Sequence, residues 1–320
     1  MKRTLAALFA AVLPVIAHAQ TGNQPNANDL RICTGSETGN YHWSAQQIRG
    51  RLSSDLFQRI ELVPTTGSLM NLRKLSRNEC DMGFAQADVV GQYIVENPAS
   101  RDNLTAFKVV YDEYVHILCP MASGWSSLSD LAGAKGRRRV IVGAEGSGTA
   151  ETWRIMRSVS DQKYGGIERD NQPVDITSAS AVMDSKDTCM LWVSGLNSSD
   201  MIAANELSVR TSNGKPSLRL ITIDDDGILR IKGPDGNPLY QRKVIVPHPA
   251  QMGRPALYDN LITNAGWFSS PSIEVLTVPA DLMIRTDYRD TIGRQKATRI
   301  LRAIVDAQPT IWNRVNPANQ

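Results

Sequence analysis

Four times along this chain a short apolar run passes through a loop of small and hydroxyl residues into a helical hydrophobic pattern. Leu30 to Thr34 leads through Gly35-Ser36-Glu37-Thr38-Gly39 to a helix expected from Tyr41 to Phe57, with Ile48, Leu52, Leu56 and Phe57 on one face. Ile60 to Val63 leads through Thr65-Thr66-Gly67-Ser68 to a helix over Ser68 to Arg77, with Leu69, Leu72 and Leu75 inward. Asp81 to Ala85 runs into Gln86-Ala87-Asp88, and Val140 to Val142 runs through Gly143 to Thr149 into a helix over Ala150 to Ser158. Strand, loop and helix in that repeating order is the grammar of an α/β sheet, whose ligands gather at the strand ends.

The remaining segments extend the same pattern. Val109 to Tyr111 and Val115 to Leu118 read as two further strands, Ser126 to Ala132 as a short helix, and Met190 to Val193 as a buried strand. Thr211 to Asn260 is rich in Gly, Pro and charge and should form hairpins and surface loops. Helical periodicity returns from Thr291 to Ile311. A chain of 320 residues is long enough for two cores. The expected division is one lobe over 29–118, completed by about 265–320, and a second over 120–264, with the boundary near Pro120.

The first residues carry a different message. Lys2 and Arg3 precede an apolar run from Leu5 to Ile16 and then Ala17-His18-Ala19, the form of a cleaved secretory leader over 1–19. The run is well short of the ~20 apolar residues a spanning helix needs. Without Lys2 and Arg3 the chain holds 33 basic against 32 acidic residues. A nearly neutral mature protein has no electrostatic case for nucleic-acid binding. Export permits disulfides among Cys33, Cys80, Cys119 and Cys189, with all three complete pairings open, and buried thiols in the apolar runs around Cys33, Cys119 and Cys189 are the alternative.

Catalytic and cofactor signatures are weak. Only His42, His116 and His248 follow the leader, no Ser sits in a Gly-x-Ser-x-Gly elbow, and no Gly-rich loop ends in Gly-Lys-Ser or Gly-Lys-Thr. No Cys-x-x-Cys pair or spaced calcium loop is present, the run Asp224-Asp225-Asp226 reading as a solvated turn. The expectation is a non-enzymatic protein with no cofactor and no metal. The loops instead offer backbone N–H groups at helix starts and hydroxyls from Thr34, Thr38, Ser68, Ser147 and Thr149, donors suited to a carboxylate or another small anion. The alternative is that each Ser or Thr only caps its own helix.

At these loops the chain resembles the TAXI-type solute receptors of tripartite ATP-independent periplasmic (TRAP) transporters. The blocks that carry the likeness are Thr66-Gly67-Ser68-Leu69-Met70-Asn71-Leu72, Glu79 to Asp88, and Ser129-Asp130-Leu131-Ala132-Gly133 followed by Val140 to Thr149. The resemblance implies a bilobed periplasmic-binding-protein fold of type II form, two α/β lobes around a central cleft. It further implies a receptor, acting as a monomer, that delivers a small organic acid or amino acid such as glutamate or 2-oxoglutarate to the membrane permease subunits. Ligand-binding residues implied are Gly35, Gly39, Tyr41, Gly67, Ser68, Gln86, Asp88, Gly146, Ser147, Gly148, Thr149 and Trp192, together with Ser36 and Thr38, which stand where the family usually has Gly. Thr188 replaces an Asp usual in the family, and Glu37 and Glu145 add charges that would disfavour a dianion if they faced the cleft. Two other readings are a sensor or interaction protein not coupled to transport, and a cleft enzyme using His42 with Asp88 or Glu145.

Overall fold

The computed structural model describes residues 26–316 except 53, 211–212, 250–255 and 264–270. The leader over 1–19 therefore lies outside the described residues, as do parts of the segments expected near 264 and at the C-terminal end. A single mixed sheet organises the rest. Its strands are β1 (Asp29–Cys33), β2 (Arg59–Val63), β3 (Met82–Gln86), β4 (Leu104–Pro120), β5 (Arg139–Ile141), β6 (Glu168–Asp170), β7 (Thr188–Ser194), β8 (Leu218–Leu220), β9 (Gln241–Ile245) and β10 (Ile273–Arg285). The order across the sheet is β2-β1-β3-β10-β4-β7-β5-β6, with β8 added on β4 and β9 on β10.

The helices are α1 (Asn40–Arg49), α2 (Ser68–Ser76), α3 (Ala87–Glu96), α4 (Leu128–Gly133), α5 (Gly148–Arg157), α6 (Asp161–Tyr164), α7 (Ile176–Met183), α8 (Ser199–Arg210), α9 (Asp226–Leu229) and α10 (Thr286–Val315), the last broken at Gly293. β1 pairs in parallel with β2 and β3, and β5 in parallel with β6 and β7, as strand–helix–strand crossovers require. The expected α/β class is what forms. α1 stops at Arg49, eight residues short of the expected end at Phe57, where Gly50 closes the last turn on Gln46 O and Ile48 O. Leu52, Leu56 and Phe57 still reach the core, but from the turns that follow.

The middle of the sheet differs from the expectation more deeply. Val109 to Tyr111 and Val115 to Leu118 are not two strands but parts of one, the 17-residue β4. Asp112 and Glu113 interrupted the apolar pattern without interrupting the ladder, because β10 pairs along both segments, Pro279 opposite Asp112 and Val278 opposite Glu113. Core membership switches at this point. Val110 and Tyr111 pack with Leu30, Ile48 and Phe84, whereas Val115 and Ile117 pack with Trp153, Val140 and Leu191. β10 changes sides in step, with Ala280 and Leu282 in the first core and Leu276 and Val278 in the second. The segment expected to form local hairpins instead sends β8 to β4 and β9 to β10.

Each half carries its own disulfide, Cys33–Cys80 and Cys119–Cys189. The closed loops span 47 and 70 residues, which on a chain-entropy account stabilises the fold by roughly 4 kcal/mol apiece. Arg285, buried to 2 % exposure, joins β10 to Asp81 and to Asp287, and Arg31 holds the same Asp81 carboxylate from β1. That ion cluster ties down the end of the first half away from the cleft loops.

Candidate functional site

Where the two halves meet, the loops after β1, β2, β3, β5 and β7 surround a cavity of about 180 Å³. Four helices begin at its wall: α1 and α2 from the first half, α5 and α8 from the second. α1 follows Gly39 and α2 follows Gly67, and neither helix has a side-chain cap. Their first-turn N–H groups have no side-chain acceptor, Met70 N of α2 being taken across the seam by Gly146 O, and the positive end of each helix dipole favours an anion there. α5 is capped by Ser147, whose hydroxyl accepts from Ala150 N at 3.1 Å.

The halves touch at backbone distance beside the cavity. Gly67 has φ +128, a left-handed value that side chains resist, and a Cβ there would sit 3.2 Å from Gly148 N. A Cβ on Gly148 would overlap Gln86 Oε1 and lie 2.7 Å from Ser68 Oγ. Met70 N completes the seam by donating to Gly146 O at 3.2 Å.

Of the fourteen residues expected to bind ligand, twelve line the cavity: Gly35, Ser36, Thr38, Gly39, Tyr41, Gly67, Ser68, Gln86, Ser147, Gly148, Thr149 and Trp192. Asp88 and Gly146 do not line it. Asp88 is fully buried behind it, where its carboxylate accepts from Thr152 Oγ1 at 2.7 Å, Tyr240 OH at 2.6 Å and Val89 N at 2.8 Å. Burial nonetheless pushes its pKa up, against those hydrogen bonds. Thr34 is buried and turned toward Val63 O and His42. Glu37 and Glu145 are exposed and outside the lining, so neither charges the cavity wall.

Three charged-type residues absent from the sequence expectation do line it: Glu113, Asp200 and Arg314. Glu113 rises from the crossing point of β4 with 5 % exposure and accepts from Tyr41 OH at 2.8 Å. Burial, reinforced by the Asp88 charge and opposed by the bond from Tyr41, pushes its pKa up to about 8. Asp200 opens α8 and is also shifted upward, by burial and then by Asp175. Arg314 returns on α10, its guanidinium stacked 4.3 Å over the Trp43 ring, and no carboxylate among the described residues pairs with it. Tyr41 itself is fixed by stacking on Phe84 at 5.2 Å.

The histidines stand apart from this wall. His42 bonds through Nδ1 with Thr34 Oγ1 at 3.1 Å and does not line the cavity. His116 is buried beneath it, between Trp192 O at 3.2 Å and Tyr258 OH at 3.1 Å, and burial lowers its pKa to about 4. Among the described residues there is no cluster of three metal-ligating side chains, and no helix is long and apolar enough to cross a membrane. Among the described residues the arrangement offers a small chamber of amide and hydroxyl donors with one guanidinium that no carboxylate pairs with. Ser198-Ser199-Asp200, following β7, repeats the strand–loop–helix device and was visible in the sequence; Glu113 and Arg314 had no such signal.

The chain matches, over residues 32–247, the family model described as the NMT1-like family. A protein of Bordetella bronchiseptica RB50 superposes with a TM-score of 0.52 at 13% identity, over 90% of this chain and 76% of that one. The periplasmic aliphatic sulphonate binding protein SsuA of Escherichia coli gives 0.48 at 12% identity, over 90% and 70%. The alkanesulfonate-binding protein SsuA of Xanthomonas axonopodis pv. citri bound to MOPS gives 0.45 at 14% identity, over 88% and 73%. No curated protein matches the sequence.

Proposed function

The chain belongs to the NMT1-like family, and from that premise we propose that it is an extracytoplasmic solute-binding receptor of the bilobed periplasmic-binding-protein type. The leader over 1–19 directs export and is removed. One lobe comprises 29–118 completed by 265–320, the other 120–264, and the solute is held between them. The observation that carries this reading is the convergence of four helix N-termini, drawn from both halves, on one cavity lined also by Arg314, which no carboxylate among the described residues pairs with. Such a chamber suits a small organic acid or an amino acid of the glutamate or 2-oxoglutarate kind. Twelve cavity-lining residues are the ligand contacts, and delivery is to the membrane subunits of a TRAP-type permease, as the TAXI-like blocks suggest.

A receptor of this kind is stabilised by its solute through mass action. Thermal unfolding of the mature protein is therefore to be measured against amino acids, keto acids, dicarboxylates, sugar acids, sugars and amines. A ligand at ~100 times its dissociation constant adds about 2.7 kcal/mol and visibly raises the midpoint. A large rise with one chemical class supports the receptor and identifies the solute class. No rise across the panel, with protein unfolded and refolded beforehand to remove any carried ligand, counts against it and favours a sensor or interaction protein.

A further inference from the structure

Two features of the cavity wall set its chemistry more narrowly than the helix ends do. Arg314 is its one Lys or Arg side chain, and it stacks on Trp43 without a carboxylate partner among the described residues. Glu113 lies at the cavity floor, on the strand that crosses between the halves, with Tyr41 OH donating to Oε2. A bare carboxylate held this way would lie out of water beside a second buried carboxyl, Asp88, with hydrogen bonds from Tyr41 and Gln86 opposing that cost. The groups facing it are Tyr41 from α1, Ser68 from α2, Gln86 and Asp88 at the β3–α3 junction, and Tyr111 on its own strand. Across the cavity are Asp200 of α8 and Arg314 of α10. Among the described residues no Lys or His lines the wall to neutralise it.

Resting on the receptor reading above, we propose that Glu113 recognises the solute as an uncharged acid. It donates its O–H to an acceptor oxygen of a small anion, whose charge is met by Arg314 and by the open starts of α1 and α2. The oxygen not bonded to Tyr41 carries the proton and faces the ligand. An ionised Glu113 would present two acceptors and a negative charge to an anion, so the protonated form is the binding form. Solute binding is consequently linked to one retained proton. The cavity accepts a small carboxylate near neutral pH and releases it as the medium becomes alkaline. It discriminates against amines, which would need Glu113 ionised and would be repelled by Arg314.

The test uses calorimetric titration of the mature protein with acetate, L-lactate, L-glutamate and 2-oxoglutarate as probes, between about pH 6 and about pH 9. The expected result is binding of at least one probe that weakens by about tenfold between one pH unit below and one above the Glu113 midpoint. Glu113→Gln, which retains an N–H donor but cannot ionise, flattens that profile at whatever affinity it keeps. Arg314→Gln lowers affinity at every pH without flattening the profile. In the unliganded protein, infrared difference spectra between wild type and Glu113→Gln show a protonated-carboxyl band at neutral pH that is lost on alkalinisation. Absence of that band overturns the proposal whatever the ligand. Binding that strengthens toward alkaline pH, or a profile unchanged in Glu113→Gln, also overturns it. If a sugar or amine from the wider panel binds and no carboxylate does, this inference falls while the receptor reading stands. If nothing binds, both fall.

Discussion

Thr152 Oγ1 donates to Asp88 Oδ2 at 2.7 Å, joining α5 of one half to the first turn of α3 in the other. Tyr240 OH reaches the same oxygen at 2.6 Å, and nearer the surface Arg154 pairs with Glu96 at 2.9 Å. Asp88 is thus a fastening between the halves, set directly behind the cavity it does not enter.

Replacing Thr152 with Val removes one donor from a buried carboxylate while leaving the size of the side chain nearly unchanged. The cost should be about 1–3 kcal/mol, read as a lower urea midpoint at unchanged slope. Small-angle scattering should also show a wider average shape, because the lost bond spans the halves. A narrow, unaltered profile would mean that the contact does not hold them together.

Gly148→Ala sets a Cβ against Gln86 Oε1 and Ser68 Oγ, across the seam between the halves. The first half's own core is untouched by this change. Thermal stability should therefore drop only modestly, whereas affinity for whichever solute the panel yields should fall by tenfold or more, since the halves can no longer approach fully. Equal affinity in the variant would refute the reading of this seam as part of the binding arrangement.

Two buried groups give the unliganded protein opposing responses to pH. Glu113 titrates at about 8 when folded, above its ordinary 4.5, so the folded state binds the extra proton between those values and stability declines as pH rises through them. His116 titrates at about 4, below its ordinary 6.5, so the unfolded state binds the extra proton there and stability rises with pH across that interval. The two overlap up to pH 6.5; above it, of this pair, Glu113 alone acts. Wild-type stability should fall by roughly 2 kcal/mol from pH 6.5 to 8, and Glu113→Gln should remove that fall. Chemical denaturation at a series of pH values reads both.

The sequence exposed those parts of the site that are local in the chain. A strand, its small-residue loop and the helix start that follows are contiguous, so Gly35, Ser36, Thr38, Gly39, Tyr41, Gly67-Ser68 and Ser147 to Thr149 could be named and all reach one cavity. Asp88 sits in the same kind of loop, but its carboxylate turns back toward Thr152 and Tyr240, residues 64 and 152 positions away. No local pattern encodes that. Glu113 and Arg314 arrive by strand register and by the return of α10, long-range outcomes of packing. The same long-range pairing explains why Asp112 and Glu113 looked like a strand break: β10 keeps the ladder whole on a stretch whose side chains change core.

Because β4 and β10 run side by side from one half into the other, the halves share a hydrogen-bonded ribbon in place of a slack tether. Any rotation of one half against the other has to twist that ribbon about its long axis. In mechanical terms the paired strands are a torsion bar on which both halves hang. The register shifts between Ala280 and Asp281 and between Leu282 and Met283 mark where that bar already departs from regular pairing.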